Sequence, residues 1–318
     1  MEYRQLGKYG VKVSEVALGG WLPRGKSKED STTEALVYRA FDLGINFFDV
    51  ADVYNKGEAE KSLAKAIAGM KREDLFIATK CYFPMSDRPN DQGLSRKHIH
   101  ESVHNSLKRL GLDYVDLFQF HRFDDSVPME EMVRAVDDLI RQGKMLYWGV
   151  SEWPAWAIVD LCHTARACGC APPVSNQPRY SMLTRQIEAE VLPACERMGM
   201  GQVVFSPLAQ GVLTGKYLPD QAPPAKSRGA DDTANMFMDA LLTSEVLTKV
   251  QRLAAFTKEQ GIEVGQFALA WCLRQKGVSS VIVGATKVEH IEQNAAASEL
   301  KVDDDAWQKA DEILGFEA

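Results

Sequence analysis

Tyr114-Val115-Asp116-Leu117-Phe118-Gln119-Phe120-His121, the amphipathic stretch Met129–Arg141 and then Met145-Leu146-Tyr147-Trp148-Gly149-Val150-Ser151 decide the fold. The flanking runs are largely apolar rather than strictly alternating, as strands covered on both faces should be. The middle stretch carries a helical period. A strand, a helix and a second strand imply a parallel pair with a crossover. The unit recurs in both directions. Toward the N-terminus lie runs at Glu15–Gly19, Asn46–Asp49 and Leu75–Lys80, and toward the C-terminus at Pro173–Gln177, Gln202–Ser206 and Val281–Gly284. Further helical patterns fall at Thr32–Leu43, Glu58–Ala68, Arg96–Leu110 and Ala155–Ala167. Most runs are spaced by roughly the 30 residues of one strand–helix unit. Eight such units predict an α/β fold closed as a (β/α)8 TIM barrel rather than an open doubly wound sheet.

Two features sit outside the repeat. Tyr3–Leu6 and Val11–Val13 flank a turn at Lys8-Tyr9-Gly10, predicting an N-terminal β-hairpin that caps the barrel bottom. The last interval is long and holds a polar loop, Leu218–Asp232, and helical patterns at Thr243–Gln260 and Val264–Gln275. Loops of that length are usually functional. No composition shift marks a second unit, so residues 1–318 read as a single barrel domain.

The bulk numbers narrow the function. With 37 Lys+Arg against 44 Asp+Glu the net charge is -7, which argues against a nucleic-acid binder. There is no signal-peptide core, presequence or apolar run of about 20 residues, so no membrane partner is expected and the location reads as cytoplasmic. The six cysteines show no CxxC pairing and read as free thiols of a reducing compartment.

Catalytic groups of a barrel collect at the C-terminal ends of its strands. The second strand ends at Asp49, with Tyr54 shortly after, the third at Lys80 and the fourth at His121. Singly, each has an ordinary reading: a helix cap, a loop aromatic, a solvated charge, a core histidine. Together they suit the reduction of a carbonyl, which needs a proton donor for the developing alkoxide. An ammonium lowers the phenol pKa from about 10. Lys80 is expected to supply it, Asp49 to keep it charged, and His121 to hydrogen-bond the carbonyl oxygen. The remaining strand ends, Ser151-Glu152, Asn176-Gln177, Ser206-Pro207-Leu208 and Gly284-Ala285-Thr286, are rich in polar groups suited to a nicotinamide carboxamide and a pyrophosphate. Phe205 can stack on a nicotinamide ring, although core packing is the commoner role of such a residue. Trp21, Tyr82, Phe83, Phe123 and Trp153 are expected to line an aromatic pocket.

Two signals point elsewhere. His100-Glu101-Ser102-Val103-His104 matches HExxH, but it falls on a helix of the outer wall and reads as a solvated pair. No metal site is expected. No G-x-G-x-x-G follows a strand, which excludes the usual dinucleotide fingerprint.

The chain resembles the aldo-keto reductases, especially the branch that includes the β subunits of voltage-gated potassium channels. The resemblance covers nearly the whole chain. It rests on Tyr3-Arg4-Gln5-Leu6-Gly7, Phe48-Asp49-x-Ala51-Asp52-x-Tyr54, Leu94-Ser95-Arg96-Lys97-His98-Ile99, Trp148-Gly149-Val150-Ser151, Phe205-Ser206-Pro207-Leu208, Gly215-Lys216-Tyr217, Ser227-Arg228 and Val283-Gly284-Ala285-Thr286. It implies a catalytic tetrad of Asp49, Tyr54, Lys80 and His121, with Tyr54 the proton donor. It implies NADP(H) contacts from Gly20, Trp21, Asp49, Ser151, Gln177, Phe205, Ser206, Pro207, Leu208, Ala209 and Gln210. Lys216, Arg228, Gly284, Thr286, His290, Gln293 and Asn294 would continue that site around the pyrophosphate and adenosine. Glu152 stands where many members carry Asn or Arg, Gln293 replaces a common Glu, and His290 stands where many have Arg or Gln. The expected function is NADPH-dependent reduction of a small-molecule aldehyde or ketone. The alternative is a cofactor-binding regulatory subunit with little turnover. His121, where channel subunits carry Asn, and a barrel that begins almost at Met1 favour the enzyme. Oligomerisation and a protein partner stay open.

Overall fold

The computed structural model describes residues 1–20, 30–225, 227–231 and 238–316. The strands are β1 (Tyr3–Gln5), β2 (Lys12–Ser14), β3 (Val16–Gly19), β4 (Phe47–Asp49), β5 (Phe76–Cys81), β6 (Val115–Phe120), β7 (Met145–Ser151), β8 (Ser175–Gln177), β9 (Gly201–Phe205) and β10 (Val278–Val283). The helices are α1 (Asp30–Asp42), α2 (Glu58–Ile67), α3 (Arg96–Leu110), α4 (Met129–Arg141), α5 (Ala155–Ala167), α6 (Val191–Met198), α7 (Ser244–Glu259), α8 (Val264–Leu273), α9 (Val288–Ala295) and α10 (Asp304–Leu314). Strands β3 to β10 close into an eight-stranded barrel in the order β10-β3-β4-β5-β6-β7-β8-β9, and every neighbouring pair is parallel. This is the (β/α)8 architecture that the strand–helix repeat predicts.

Strand parity sorts the side chains into two cores. Phe47, Phe76, Ala78, Leu117 and Val203 fill the barrel interior, while Phe48, Ile77, Phe118, Phe120 and Val204 face the helices. The interior is sealed at the N-terminal mouth by the β1–β2 hairpin, paired antiparallel through Tyr3↔Ser14, Arg4↔Val13 and Gln5↔Lys12. Leu6 and Val13 are fully buried against that interior cluster. The seat is close: a Cβ on Gly201 would lie 2.5 Å from the Gly7 nitrogen. The hairpin is anchored by Lys8 N donating to Gly199 O at 3.0 Å and by Ser279 Oγ donating to Gln5 O at 2.9 Å.

With apolar layers and the hairpin closing the bottom, the polar inward positions are left at the top. The inward row of β4 runs from Phe47 to Asp49, that of β5 from Phe76 through Ala78 to Lys80, and that of β6 from Leu117 through Gln119 to His121. Among the described residues, no helix is long and apolar enough to cross a membrane.

Candidate active site

Lys80 is the centre of the cluster and is fully buried. An ammonium so placed is costly unless paired and hydrogen-bonded. Lys80 Nζ donates to Asp49 Oδ1 at 2.5 Å, to the Val50 carbonyl at 2.8 Å and to Tyr54 Oη at 3.4 Å. Burial pulls the Lys80 ammonium down, but the charges of Asp49 and Tyr54 and their hydrogen bonds outweigh it, so its pKa is raised. Asp49, 2% exposed, is held in turn by two amides. Gln177 Nε2 donates to Asp49 Oδ2 at 2.9 Å and Gln119 Nε2 to the same oxygen at 3.3 Å. The sequence reading places Gln177 at the cofactor site; in the structure its amide also fixes Asp49. It does not single out Gln119.

Tyr54 stands on a single turn of 3-10 helix, Tyr54–Gly57, in which Asn55, Lys56 and Gly57 all have positive φ (49°, 52° and 90°). Its ring meets the His121 ring edge-to-face at 5.7 Å, and Phe83 also meets the His121 ring, at 5.0 Å. The ring keeps part of its surface exposed, yet burial raises the phenol pKa and outweighs the opposing pull of Lys80. The sequence expectation was the reverse, a phenol lowered by the ammonium. The reversal arises first because burial disfavours the phenolate more than Lys80 favours it, and second because the Asp49 charge opposes Lys80. His121 is pushed well below its ordinary pKa by burial first, then by the Lys80 and Arg122 charges, and its Nδ1 has no partner among the described residues.

Several of the described residues expected to hold a cofactor lie at or just after strand ends. Gly20 donates its N–H to the Asp49 carbonyl at 2.7 Å, and a Cβ there would press on Val50 at 2.7 Å. Ser151 Oγ donates to the Gln177 carbonyl at 2.8 Å. Phe205 ends β9 on the inward parity, with Pro207 and Leu208 next in the chain. The loop beyond is held in an unusual backbone, with Ser206, Ala209 and Gln210 at φ 55°, 46° and 59°. Gln210 Nε2 donates to Ser206 Oγ at 2.6 Å, and Arg228 reaches across from its own loop to donate to Gln210 Oε1. Lys216 is exposed nearby in sequence. After β10, Gly284 has open space where a Cβ would stand, and Thr286, Lys287, His290 and Gln293 are exposed, with Thr286 Oγ1 3.3 Å from His290 Nδ1. Asn294 is 8% exposed on α9. Trp21 lies outside the described residues.

These groups fit a nicotinamide dinucleotide. His121 Nδ1 and Gln119 Oε1 at the mouth are buried and have no hydrogen-bond partner among the described residues. Lys216 and Arg228 lie in the long connection after β9 and Lys287 shortly after β10, and these cations suit phosphates.

Two other readings meet the structure differently. His104 is exposed and its Nδ1 lies 2.7 Å from the His100 carbonyl, whereas His100 is half-buried. Among the described residues no three His, Cys, Asp or Glu side chains gather as a metal site would. Trp153, expected in the pocket wall, is 2% exposed and packs on Phe120 and Phe123.

Residues 15–315 match the sequence model of the Aldo/keto reductase family. A putative voltage-gated potassium channel subunit beta from Schizosaccharomyces pombe is 43% identical over 99% of this chain and 93% of its own length. Probable voltage-gated potassium channel beta subunits from rice (Oryza sativa subsp. japonica) and Arabidopsis thaliana are 40% and 42% identical, each over 93% of this chain and 91% of the relative. The chain therefore belongs to the aldo/keto reductase family.

Proposed function

We propose that this protein reduces an aldehyde or ketone to the alcohol, with NADPH as cofactor and Tyr54 as proton donor. The observation that carries the reading is the buried Asp49–Lys80–Tyr54 chain, with contacts of 2.5 and 3.4 Å. Bound NADPH supplies the hydride. The remaining work falls to the protein's own side chains. Tyr54, whose pKa is raised, arrives protonated and gives its proton to the alkoxide. The phenolate left behind faces Lys80 Nζ, which Asp49 holds charged. His121, neutral because of burial and its cationic neighbours, donates one N–H to the carbonyl oxygen and orients it. Gly20, Trp21, Asp49, Ser151, Gln177 and residues 205–210 would hold the nicotinamide half. Lys216, Arg228, Gly284, Thr286, His290, Gln293 and Asn294 would hold the phosphates and adenosine.

Tyr54→Phe tests the reading. NADPH binding should persist while reduction of 4-nitrobenzaldehyde falls by about 100-fold or more; an undiminished rate would exclude Tyr54 as the acid. The names of the similar proteins motivate a second reading, a cofactor-binding regulatory subunit. Steady-state consumption of NADPH across a panel of aldehydes supports the enzyme. A single burst followed by slow exchange supports the regulator.

Cofactor choice follows from the same cations. A bidentate contact from Arg228 to the 2′-phosphate should favour NADPH over NADH by about 10- to 100-fold. Titration of both cofactors into Arg228→Ala and Lys287→Ala checks it. Equal losses for the two cofactors would show that these residues read the pyrophosphate instead.

A further inference from the structure

Arg122 follows His121 directly, at the rim of the site, and is half-buried. Four other sheltered arginines hold a carboxylate, although Arg228 meets the Gln210 amide. Arg4 pairs with Glu15, Arg72 with Asp116, Arg109 with Glu60, and Arg185 with Asp311. Among the described residues, no carboxylate pairs with Arg122. Its Nη1 donates to the His121 carbonyl at 2.6 Å, and its guanidinium lies 5.4 Å from the centre of the Phe83 ring. The Nε–Nη2 edge therefore keeps two parallel donors for an acceptor from outside the chain. That edge matches a carboxylate side-on.

The surroundings fix where such an acceptor would sit. Phe83 contacts both the Arg122 guanidinium and the His121 ring, and His121 in turn meets Tyr54. The guanidinium thus stands about one aromatic ring away from the groups that would grip a carbonyl oxygen. Its charge is felt at both of them, lowering the pKa of His121 and opposing the rise at Tyr54. A cation kept half-desolvated at an enzyme mouth without a counter-ion is costly to fold around, and a ligand that supplies the counter-ion removes that cost.

We infer that Arg122 anchors a carboxylate on the substrate, so that the site takes carbonyl compounds carrying a carboxylate about one ring-length from the reacting C=O in preference to neutral ones. The inference rests on Tyr54 and His121 gripping the carbonyl, and its test separates the two.

The pair 4-carboxybenzaldehyde and methyl 4-formylbenzoate has the same ring and aldehyde but differs in charge. In the wild type, kcat/KM at low ionic strength should favour the acid by tenfold or more. In Arg122→Met that ratio should collapse to about 1, with the loss falling mainly on KM for the acid; Arg122→Lys should lie between. A binding measurement frees the test from turnover. By calorimetry, with and without NADP+, benzoate should bind the wild type at least tenfold more tightly than Arg122→Met, while neutral benzamide should not distinguish them. If neither aldehyde turns over but benzoate still binds through Arg122, the reductase reading falls and the carboxylate anchor stands. If both aldehydes turn over with a wild-type ratio near 1, or the ratio survives Arg122→Met, the anchor is overturned and the reductase reading stands.

Discussion

At His121, burial and the cations Lys80 and Arg122 keep the imidazole pKa far below its usual place, so the ring is neutral throughout the physiological range. Tyr54 moves the other way and holds its proton beyond the ordinary phenol value. Neither group then changes protonation near neutrality. The expected consequence is a kcat/KM for carbonyl reduction that stays flat from about pH 6 to pH 9. His121→Asn, which keeps a neutral N–H donor, should lower the rate without changing the shape of that profile. A bell centred near the ordinary histidine pKa would sink both assignments. The same residues show what a sequence reveals. Asp49, Lys80 and His121 are legible because each closes an apolar run, where a charged or polar side chain stands out. Gln119 is not, because inside such a run it reads only as an interruption. Its signal lies in parity: Leu117, Gln119 and His121 share the inward face, which carries the Gln119 amide to Asp49. The direction of the Tyr54 shift is not legible at all, since it is set first by how deeply the fold buries the phenol and only then by the balance of Lys80 against Asp49.

The turn Tyr54–Gly57 does at the scale of an element what Lys80 does at the scale of a residue. It lifts one side chain out of the chain's path between β4 and α2. Gly57 has φ 90°, and a Cβ there would meet Arg109 Cδ at 2.6 Å. Gly57→Ala must therefore strain the backbone and displace Arg109, at a cost of about 1–3 kcal/mol. The expected result is a lower urea midpoint together with a fall in reduction rate, because Tyr54 rides on the same turn. A loss of stability with an unchanged rate would show that the turn does not position Tyr54. Elements of this kind are only partly readable. The helix at Arg96–Leu110 emerges as expected because Ser95 caps it and Gly111 ends it in the left-handed conformation. The last barrel strand begins at Val278 and not Val281, since Ser279 and Ser280 break the apolar run. Ser279 is polar because it anchors the hairpin through the Gln5 carbonyl. Helix α6 carries Pro193 in its first turn, where its missing N–H costs nothing, so a residue that reads as a breaker sits inside a helix.

The whole molecule joins its chemical end to its outer wall through a second buried cluster, behind the Tyr54 turn. Asp52 and Glu60 are both fully buried. Asp52 accepts from Val53 N at 2.6 Å and from Ser102 Oγ on α3 at 2.9 Å. Glu60 on α2 accepts from Arg109 Nε on α3 at 2.5 Å and from Thr79 Oγ1 on β5 at 2.6 Å. Arg109 pairs with Glu60, and among the described residues no cation pairs with Asp52. Burial first, and the Glu60 charge second, push Asp52 from its ordinary 3.8 up to about 7. The unfolded chain releases this proton near pH 4, whereas the folded protein keeps it until about pH 7. Between those values the native state binds more protons, so raising the pH lowers stability. The stabilising contribution is complete below the unfolded pKa and is lost by the time pH passes the folded one. About three pKa units set an upper bound of about 4 kcal/mol on the effect. Asp52→Asn cannot ionise, and its amide keeps an acceptor for Val53 N and can still hydrogen-bond Ser102. Titrating groups that do not interact with Asp52 act equally in both proteins and cancel in the difference. Urea unfolding of wild type and Asp52→Asn at pH 5, 6, 7 and 8 should therefore show the variant gaining on the wild type steadily up to pH 7 and no further beyond it. Parallel stability curves across that range would mean that Asp52 stays ionised in the fold, with Arg109 neutralising both carboxylates.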